Sequence, residues 1–262
     1  MDLFVFTVDP RFATGCVEAG AAGVVVDWER RGKARRQAGE GTQINGDTPA
    51  DLSRIRAATD GRVICRINSA GPWTPSEVDL AVRLGADEVL LPMVRRPEEV
   101  DRALDAVAGR CGLGILVETE GGVAVVDELV ARPLSRVYLG LNDLRIDKGS
   151  SVLFAPLVDG TAERVRGACP MPFGVAGLTR PDAGWPVPSR LLSGELARID
   201  AAFTFLRRSF TADVAGRDLR VEVPRILADC ASARRRTAGQ VVADRAELLS
   251  AVGPLDRVVQ PA

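Results

Sequence analysis

Short runs rich in Val, Ile, Leu and Phe recur along the chain with helix-period segments between them, the alternation expected of repeated βα units around a parallel sheet. Eight such runs stand out: Leu3 to Thr7, Gly23 to Glu29, Val63 to Asn68, Glu88 to Val94, Gly114 to Glu120, Arg136 to Asp143, Pro172 to Thr179 and Phe203 to Phe210. Eight repeats in 262 residues fit the ~250 residues of a (β/α)8 TIM barrel. A doubly wound sheet would usually carry a Gly-rich phosphate loop after its first strand, whereas here the first run is followed by Asp9-Pro10-Arg11-Phe12. Between the runs, Val100, Leu104, Val107 and Ala108 keep one helical face apolar behind Pro97, and Glu98 and Glu99 complement the helix dipole. Val123, Val126, Leu129 and Val130 do the same before Pro133 ends the pattern. The fold class is therefore α/β: one (β/α)8 barrel domain over residues 1–262, in which 211–262 form a C-terminal helical extension carrying Val223, Ile226 and Leu227 at helical spacing. That extension is expected to cover the barrel or to dock on a neighbouring subunit. The longest strand-to-strand intervals mark 30–48 and 144–158 as extended loops, and the Pro/Gly-rich Asp182 to Pro188 reads as a βα loop.

Composition removes several classes of function. With 34 Lys+Arg against 35 Asp+Glu the chain lacks the basic excess that drives phosphate-backbone binding, so no nucleic-acid partner is expected. No apolar run approaches the ~20 residues that cross a bilayer, and Met1 to Phe6 has no positive region before its short apolar run, unlike a signal peptide. A cytoplasmic protein without a membrane partner is expected. There is no histidine, which excludes Ser-His-Asp and Cys-His catalysis, histidine metal sites and histidine general bases. Proton transfer must use Asp, Glu, Lys, Cys, the single Tyr138 or water. The five cysteines are scattered without a CxxC pair and read as small buried hydrophobes in a reducing compartment.

In such a barrel the active site lies at the carboxyl ends of the strands. Polar residues gather there: Asp27-Trp28-Glu29 after the second strand, Arg66 and Asn68 on the third, Glu118-Thr119-Glu120 on the fifth and Asn142-Asp143 on the sixth. Charged groups in otherwise apolar strands must face one another, a metal or a ligand. Glu118 and Asp143 fall at the ends of adjacent strands and could share one cation; with only oxygen donors, Mg2+ is favoured and Mn2+ remains open. Arg66 would reach the same cavity, where its planar fork grips a carboxylate or polarises a carbonyl. The bland readings are a structural salt bridge between Arg66 and Glu118 and helix-capping roles for the carboxylates.

The run Ala86-Asp87-Glu88-Val89-Leu90-Leu91-Pro92-Met93-Val94, then Pro97-Glu98-Glu99-Val100, Leu116-Val117-Glu118-Thr119 and Gly140-Leu141-Asn142-Asp143-Leu144, resembles the superfamily joining the citrate lyase beta subunit with 2-oxo-acid aldolases of the 4-hydroxy-2-oxoheptanedioate type. Val25-Val26-Asp27-Trp28-Glu29 with Lys33 and Arg36 resembles the citrate-lyase side. The resemblance implies a Mg2+-dependent (or Mn2+-dependent) carbon–carbon lyase acting through the enolate of a 2-oxo acid or related carbonyl compound. It implies Glu118 and Asp143 as metal ligands, and Arg66 as the residue that binds substrate and stabilises enolate charge. Asp27 and Glu29 would be orienting residues or a proton relay, and Lys33, Trp73 and Asn142 further substrate contacts. It also implies a homo-oligomer, a trimer or hexamer. The aldolase branch carries a histidine near the end of its second strand; here either a carboxylate such as Glu29 with a metal-bound water takes over, or the chemistry is of the citrate-lyase kind.

Alternatives stand beside this reading. The basic run Arg30 to Arg36 is either a solvated loop or a binding site for phosphate, a coenzyme A tail or a sugar acid. A coenzyme A thioester lyase would use it for the adenosine phosphates. A non-catalytic metabolite-binding barrel would be expected to have lost one of Arg66, Glu118 or Asp143, and all three are present. Trp73 is the tryptophan best placed to line a substrate site; Arg207 and Arg208 could reach ligand or a subunit interface.

Overall fold

A computed structural model describes residues 1–33 and 46–253 of the chain. Eight parallel strands close into a barrel in sequence order: β1 Asp2–Phe6, β2 Gly23–Asp27, β3 Arg62–Arg66, β4 Glu88–Leu91, β5 Gly112–Val117, β6 Arg136–Leu139, β7 Phe173–Leu178 and β8 Phe203–Leu206. β8 returns to β1 with Leu3 opposite Thr204. The strands have two buried faces, as closure with an outer ring of helices requires. Phe4, Val25, Ile64, Leu90, Leu116, Phe203 and Phe205 fill the interior, and a second, larger core lies between strands and helices.

All eight expected strands form, and the apolar runs overshoot them at the carboxyl end. β6 stops at Leu139 and Leu141–Asp147 is already helical; β8 stops at Leu206 and Phe210 opens the short helix Phe210–Asp213. The apolar run persists because the residues that turn off the barrel pack against it, but a strand extends only as far as its neighbours offer backbone partners. The expected site residues thus sit at the last strand positions (Asp27, Arg66) or just past them (Glu29, Glu118, Asn142, Asp143).

The helices follow their local signals. Asp9 caps Pro10–Glu18 by accepting from the Arg11 and Phe12 amides, so the segment after β1 is a helix start. Pro97–Val107 begins at its proline, buries Val100, Ala103 and Val107, and ends where Ala108 turns left-handed instead of continuing the stripe. The stripe from Val123 to Val130 is split between Glu120–Ala124 and Val126–Val130. The 144–158 interval is a correction to the expected loop: it holds the end of Leu141–Asp147 and a 3-10 turn at Ala155–Leu157. Of the 30–48 interval, residues 34–45 lie outside the described residues, and so do 254–262 of the C-terminal extension. The rest of that extension covers the barrel. Leu219–Ala233 packs on Pro10–Glu18 and Ser189–Arg198 through Val223, Ile226 and Cys230, and Ala238–Val252 packs on Ser189–Arg198. No helix among the described residues is long and apolar enough to cross a membrane. The cysteines are unpaired; four are buried and Cys111 is half-buried.

Candidate active site

The register of β2 against β3 places Asp27 opposite Arg66, both at the last position of their strands. They meet in a bidentate pair: Arg66 Nε donates to Asp27 Oδ1 at 2.8 Å and Nη2 to Oδ2 at 2.6 Å. Two residues past β2, Glu29 Oε2 lies 3.5 Å from Arg66 Nη1 and accepts from Lys33 Nζ at 3.0 Å, while Lys33 Nζ also reaches Asp27 Oδ2 at 3.4 Å. Two acids and two bases are thereby interlocked in a buried cluster. Burial alone would raise the Asp27 carboxyl, but Arg66 and Lys33 outweigh it and hold it down at about 2. Burial likewise opposes ionisation of Glu29, and the same two cations lower it against repulsion from Asp27. The sequence offered Glu118 as the salt-bridge partner of Arg66; the partner is Asp27, because the register sets these two side by side. Asn68 ties the turn instead of facing substrate, accepting from the Arg30 and Arg31 amides and donating to Glu77.

Glu118 follows β5 directly and is buried, with Oε1 accepting from the Met93 amide at 2.9 Å. Its other oxygen rests over Gly140, where any Cβ would collide with Glu118 Oε2 and come within 2.8 Å of Glu118 Cβ. Gly140 is therefore part of the site, and sequence reading passed over it although it stands in the Gly140-Leu141-Asn142-Asp143 run. Asp143 sits in the first turn of Leu141–Asp147 and is buried. Burial first, then the carboxylates of Asp143 and Glu29, push Glu118 up to about 8, against the opposing pull of Arg66 and the Met93 amide.

Lys33, Arg66, Glu118, Asn142 and Asp143 all line one cavity of about 560 Å3 at this end of the barrel. Asn142 also accepts from Arg145 at 3.2 Å. Asp27 and Glu29 stand behind Arg66 and Lys33 and not on the cavity wall. Trp73 is a correction. Its indole donates to the Ser69 carbonyl, its ring lies under the Arg31 guanidinium at 4.5 Å, and it is absent from the cavity lining. Trp185, Arg207 and Arg208 line the cavity in its place, brought there by the loop after β7 and the end of β8.

A metal fits the donor set at one place. Glu118 and Asp143 supply hard oxygen donors on the cavity wall, and the crowding that raises Glu118 is what a cation between them would relieve. Among the described residues no group of three or more His, Cys, Asp or Glu is placed to hold an ion. Two carboxylates suffice for Mg2+, which keeps several waters and is typically bound by one or two carboxylates plus substrate.

A closed parallel barrel with its ionisable groups collected where the strands end has the anatomy of a TIM-barrel enzyme. Residues 1–152 match the HpcH/HpaI aldolase/citrate lyase family, and the chain belongs to that family of carbon–carbon lyases. No curated protein matches it. Among solved structures it is similar to RipC from Yersinia pestis, with 15% identity over 92% of this chain and 98% of that one and a TM-score of 0.60. It is also similar to the HpcH/HpaI aldolase from Desulfitobacterium hafniense DCB-2, with 15% identity over 82% and 91% and a TM-score of 0.62. At that identity the likeness is one of fold.

Proposed function

We propose that this lyase depends on a divalent metal and works through the enolate of a 2-oxo acid, with Mg2+ or Mn2+ held by Glu118 and Asp143. The observation that carries this reading is the crowded pair of carboxylates sharing a cavity wall with Arg66. When bound there, the ion acts as a Lewis acid on the 2-oxo acid. Arg66, kept rigid and charged by Asp27 and Glu29, presents its guanidinium to the substrate and stabilises the negative charge that develops on the enolate oxygen. In cleavage the carbon–carbon bond breaks, its electron pair passes into the enolate, and the hydroxyl of the departing fragment loses its proton as the carbonyl forms. Asp27, held as an anion, orients Arg66. Lys33 on the cavity wall, with Glu29 behind it and Oε2 3.0 Å from Lys33 Nζ, forms the pair through which a proton passes in place of a histidine. Phe6, Tyr138 and Phe205 supply apolar wall that keeps water from the carbanion equivalent.

The test is calorimetric titration with Mg2+ and Mn2+. One ion per chain in the wild type, lost in Glu118→Ala and in Asp143→Ala with the folded circular dichroism retained, is expected. A wild type that binds neither ion overturns the reading.

A further inference from the structure

Polar and apolar groups reach the cavity from different parts of the chain. Lys33, Arg66, Glu118 and Asp143 come from the ends of β2, β3, β5 and β6 or the turns that follow them. The stretch between β6 and β7 and the loop after β7 contribute Leu153, Phe154 and Trp185 instead. Trp185 is 87% exposed, more than any other large hydrophobic residue among those described. The other exposed ones, Val221, Val242 and Leu249, lie on the helices of the C-terminal extension, whereas Trp185 lines the active-site cavity.

The ring is open to water, but the loop that carries it is braced. The Ser189 amide donates to the Ala183 carbonyl at 2.8 Å, and Gly184 turns left-handed at φ 105°, where a Cβ would come within 2.9 Å of the Ser189 amide nitrogen. Arg207 ties this loop to β7, its Nε donating to the Gly177 carbonyl at 2.8 Å and Nη2 to the Val187 carbonyl at 3.1 Å, while Asp213 acts on its charge. The same guanidinium lies 5.6 Å from the Phe154 ring and its Nη1 3.5 Å from the Trp185 carbonyl, so Phe154 and the Trp185 backbone flank one side chain. A rigid indole on a braced loop gives up little freedom when it packs on a ligand. A lone exposed apolar residue is ordinary on a protein surface. Here it stands at the mouth of a cavity beside half-buried Leu153 and buried Phe154, with the charged groups supplied from other strands. A few charges that fix one end of a ligand and an apolar wall for the remainder are the anatomy of a site for an amphipathic molecule. The volume of about 560 Å3 is also more than pyruvate alone would fill.

We propose that Trp185, with Leu153 and Phe154, forms the subsite for an apolar, ring-bearing group on the fragment joined to or released from the enolate, so that this lyase favours aldehydes carrying such a group over short aliphatic ones. The proposal rests on the enolate reading of the same cavity. Its test is the aldol addition of pyruvate, with Mg2+ present, to 3-phenylpropanal and to butanal, two uncharged aldehydes whose carbonyls have the same immediate surroundings. Packing of the ring on the indole predicts kcat/KM at least about tenfold higher for 3-phenylpropanal. In Trp185→Ala that ratio falls to within about threefold of unity, and Trp185→Phe keeps most of it. A wild type that uses the two aldehydes equally overturns the proposal, and so does a Trp185→Ala enzyme that keeps the full ratio. Iodide quenching, with Trp185→Phe subtracted from wild type, should find the indole accessible before substrate is added; an indole already shielded by another chain overturns the proposal as well. If no aldehyde reacts, the subsite is read by titrating tryptophan fluorescence with 4-phenylbutyrate against butyrate. Tighter binding of the phenyl acid by about tenfold, lost in Trp185→Ala, supports the subsite, and equal binding overturns it. Failure of the same enzyme to exchange pyruvate methyl protons would mark the enolate reading as the part that failed, and the titration would still decide the subsite.

Discussion

Among the described residues a buried ion cluster stands at each end of the barrel, and the two differ in what they face. Near the amino ends of the strands, Arg136 Nε donates to Glu88 Oε1 at 2.6 Å, and the guanidinium is flanked by the rings of Phe4 and Phe203 at 4.6 and 4.7 Å. Glycines press against it: a Cβ on Gly114 would come within 2.7 Å of Glu88 Oε1 and 2.8 Å of Arg136 Cγ. One acid meets one buried base, the pair is sealed by aromatic faces, and neither residue lines the active-site cavity. At the carboxyl ends, Arg66 and Lys33 satisfy Asp27 and Glu29, but Glu118 and Asp143 crowd each other beside open volume. Burying charge is costly at both ends. Among the described residues it is the carboxyl end whose charged groups face open cavity volume, and that distinguishes a site from a structural pair.

The comparison can be broken by mutation. The largest expected effect is on catalysis. Removing the Arg66 guanidinium (Arg66→Ala) or the Glu118 charge (Glu118→Gln) should cost at least about a thousandfold in kcat/KM, the scale of losing a principal charge-stabilising group. Glu118→Gln should meanwhile melt no lower than the metal-free wild type, because it removes a carboxylate that the fold disfavours. A variant that loses activity only in proportion to lost folded protein would put Glu118 on a par with Glu88.

At the other end the expectation reverses. Truncating one partner, Arg136→Ala or Glu88→Ala, should cost about 3–5 kcal/mol of stability in denaturant titration, since it leaves an uncompensated buried charge. Activity per folded molecule should change little. The double replacement Glu88→Leu/Arg136→Met should recover much of the loss, as replacing a buried ion pair by apolar residues often does.

An intermediate effect is expected at Gly140. Gly140→Ala pushes on the Glu118 carboxylate and should weaken Mg2+ binding by about tenfold or more in calorimetry, with a stability cost of about 1–3 kcal/mol, the range for overpacking. Unchanged metal affinity would detach Gly140 from the site.

The smallest effect is a pH slope. Glu118 is raised from 4.5 to about 8 in the folded chain, so between those values the folded state holds a proton that the unfolded state has lost. Its contribution makes metal-free stability fall as pH rises through that window. Mg2+, or Glu118→Gln, should flatten the slope measured by thermal unfolding between pH 5 and about 8. Asp27 works in the opposite sense and elsewhere: its carboxyl is held at about 2, so the stability it adds is present above the usual carboxylate range and is lost only as pH falls toward 2. A slope unaffected by Glu118→Gln would show that Glu118 does not titrate as described.

Much of this contrast was legible in the sequence. The eight apolar runs gave the closed barrel because parallel strands buried on both faces need continuous apolar stretches. Arg66, Glu118 and Asp143 were visible as charges in places where an unpaired charge is costly. What the sequence concealed was pairing and direction. Arg66 meets Asp27 because of a strand register, and Glu88 with Arg136 looks no different in sequence from a catalytic pair, since the end of the strand that faces ligand is a property of the closed barrel. Trp73 read as a pocket wall because it follows Arg66 closely, yet the turn at Gly71 aims it at Arg31. Arg207 could be counted but not placed, because its hydrogen bonds to the Gly177 and Val187 carbonyls depend on how the loop after β7 folds back.

The account stands on the claim that the carboxyl-end cluster stabilises an enolate. Exchange of the pyruvate methyl protons with solvent deuterium, followed by NMR, tests it without any knowledge of the second fragment. Exchange that requires Mg2+ or Mn2+ and disappears in both Arg66→Ala and Glu118→Ala is the predicted result. Metal-loaded wild type that binds pyruvate and exchanges no methyl protons would contradict the pyruvate-enolate assignment and direct the search to a thioester substrate.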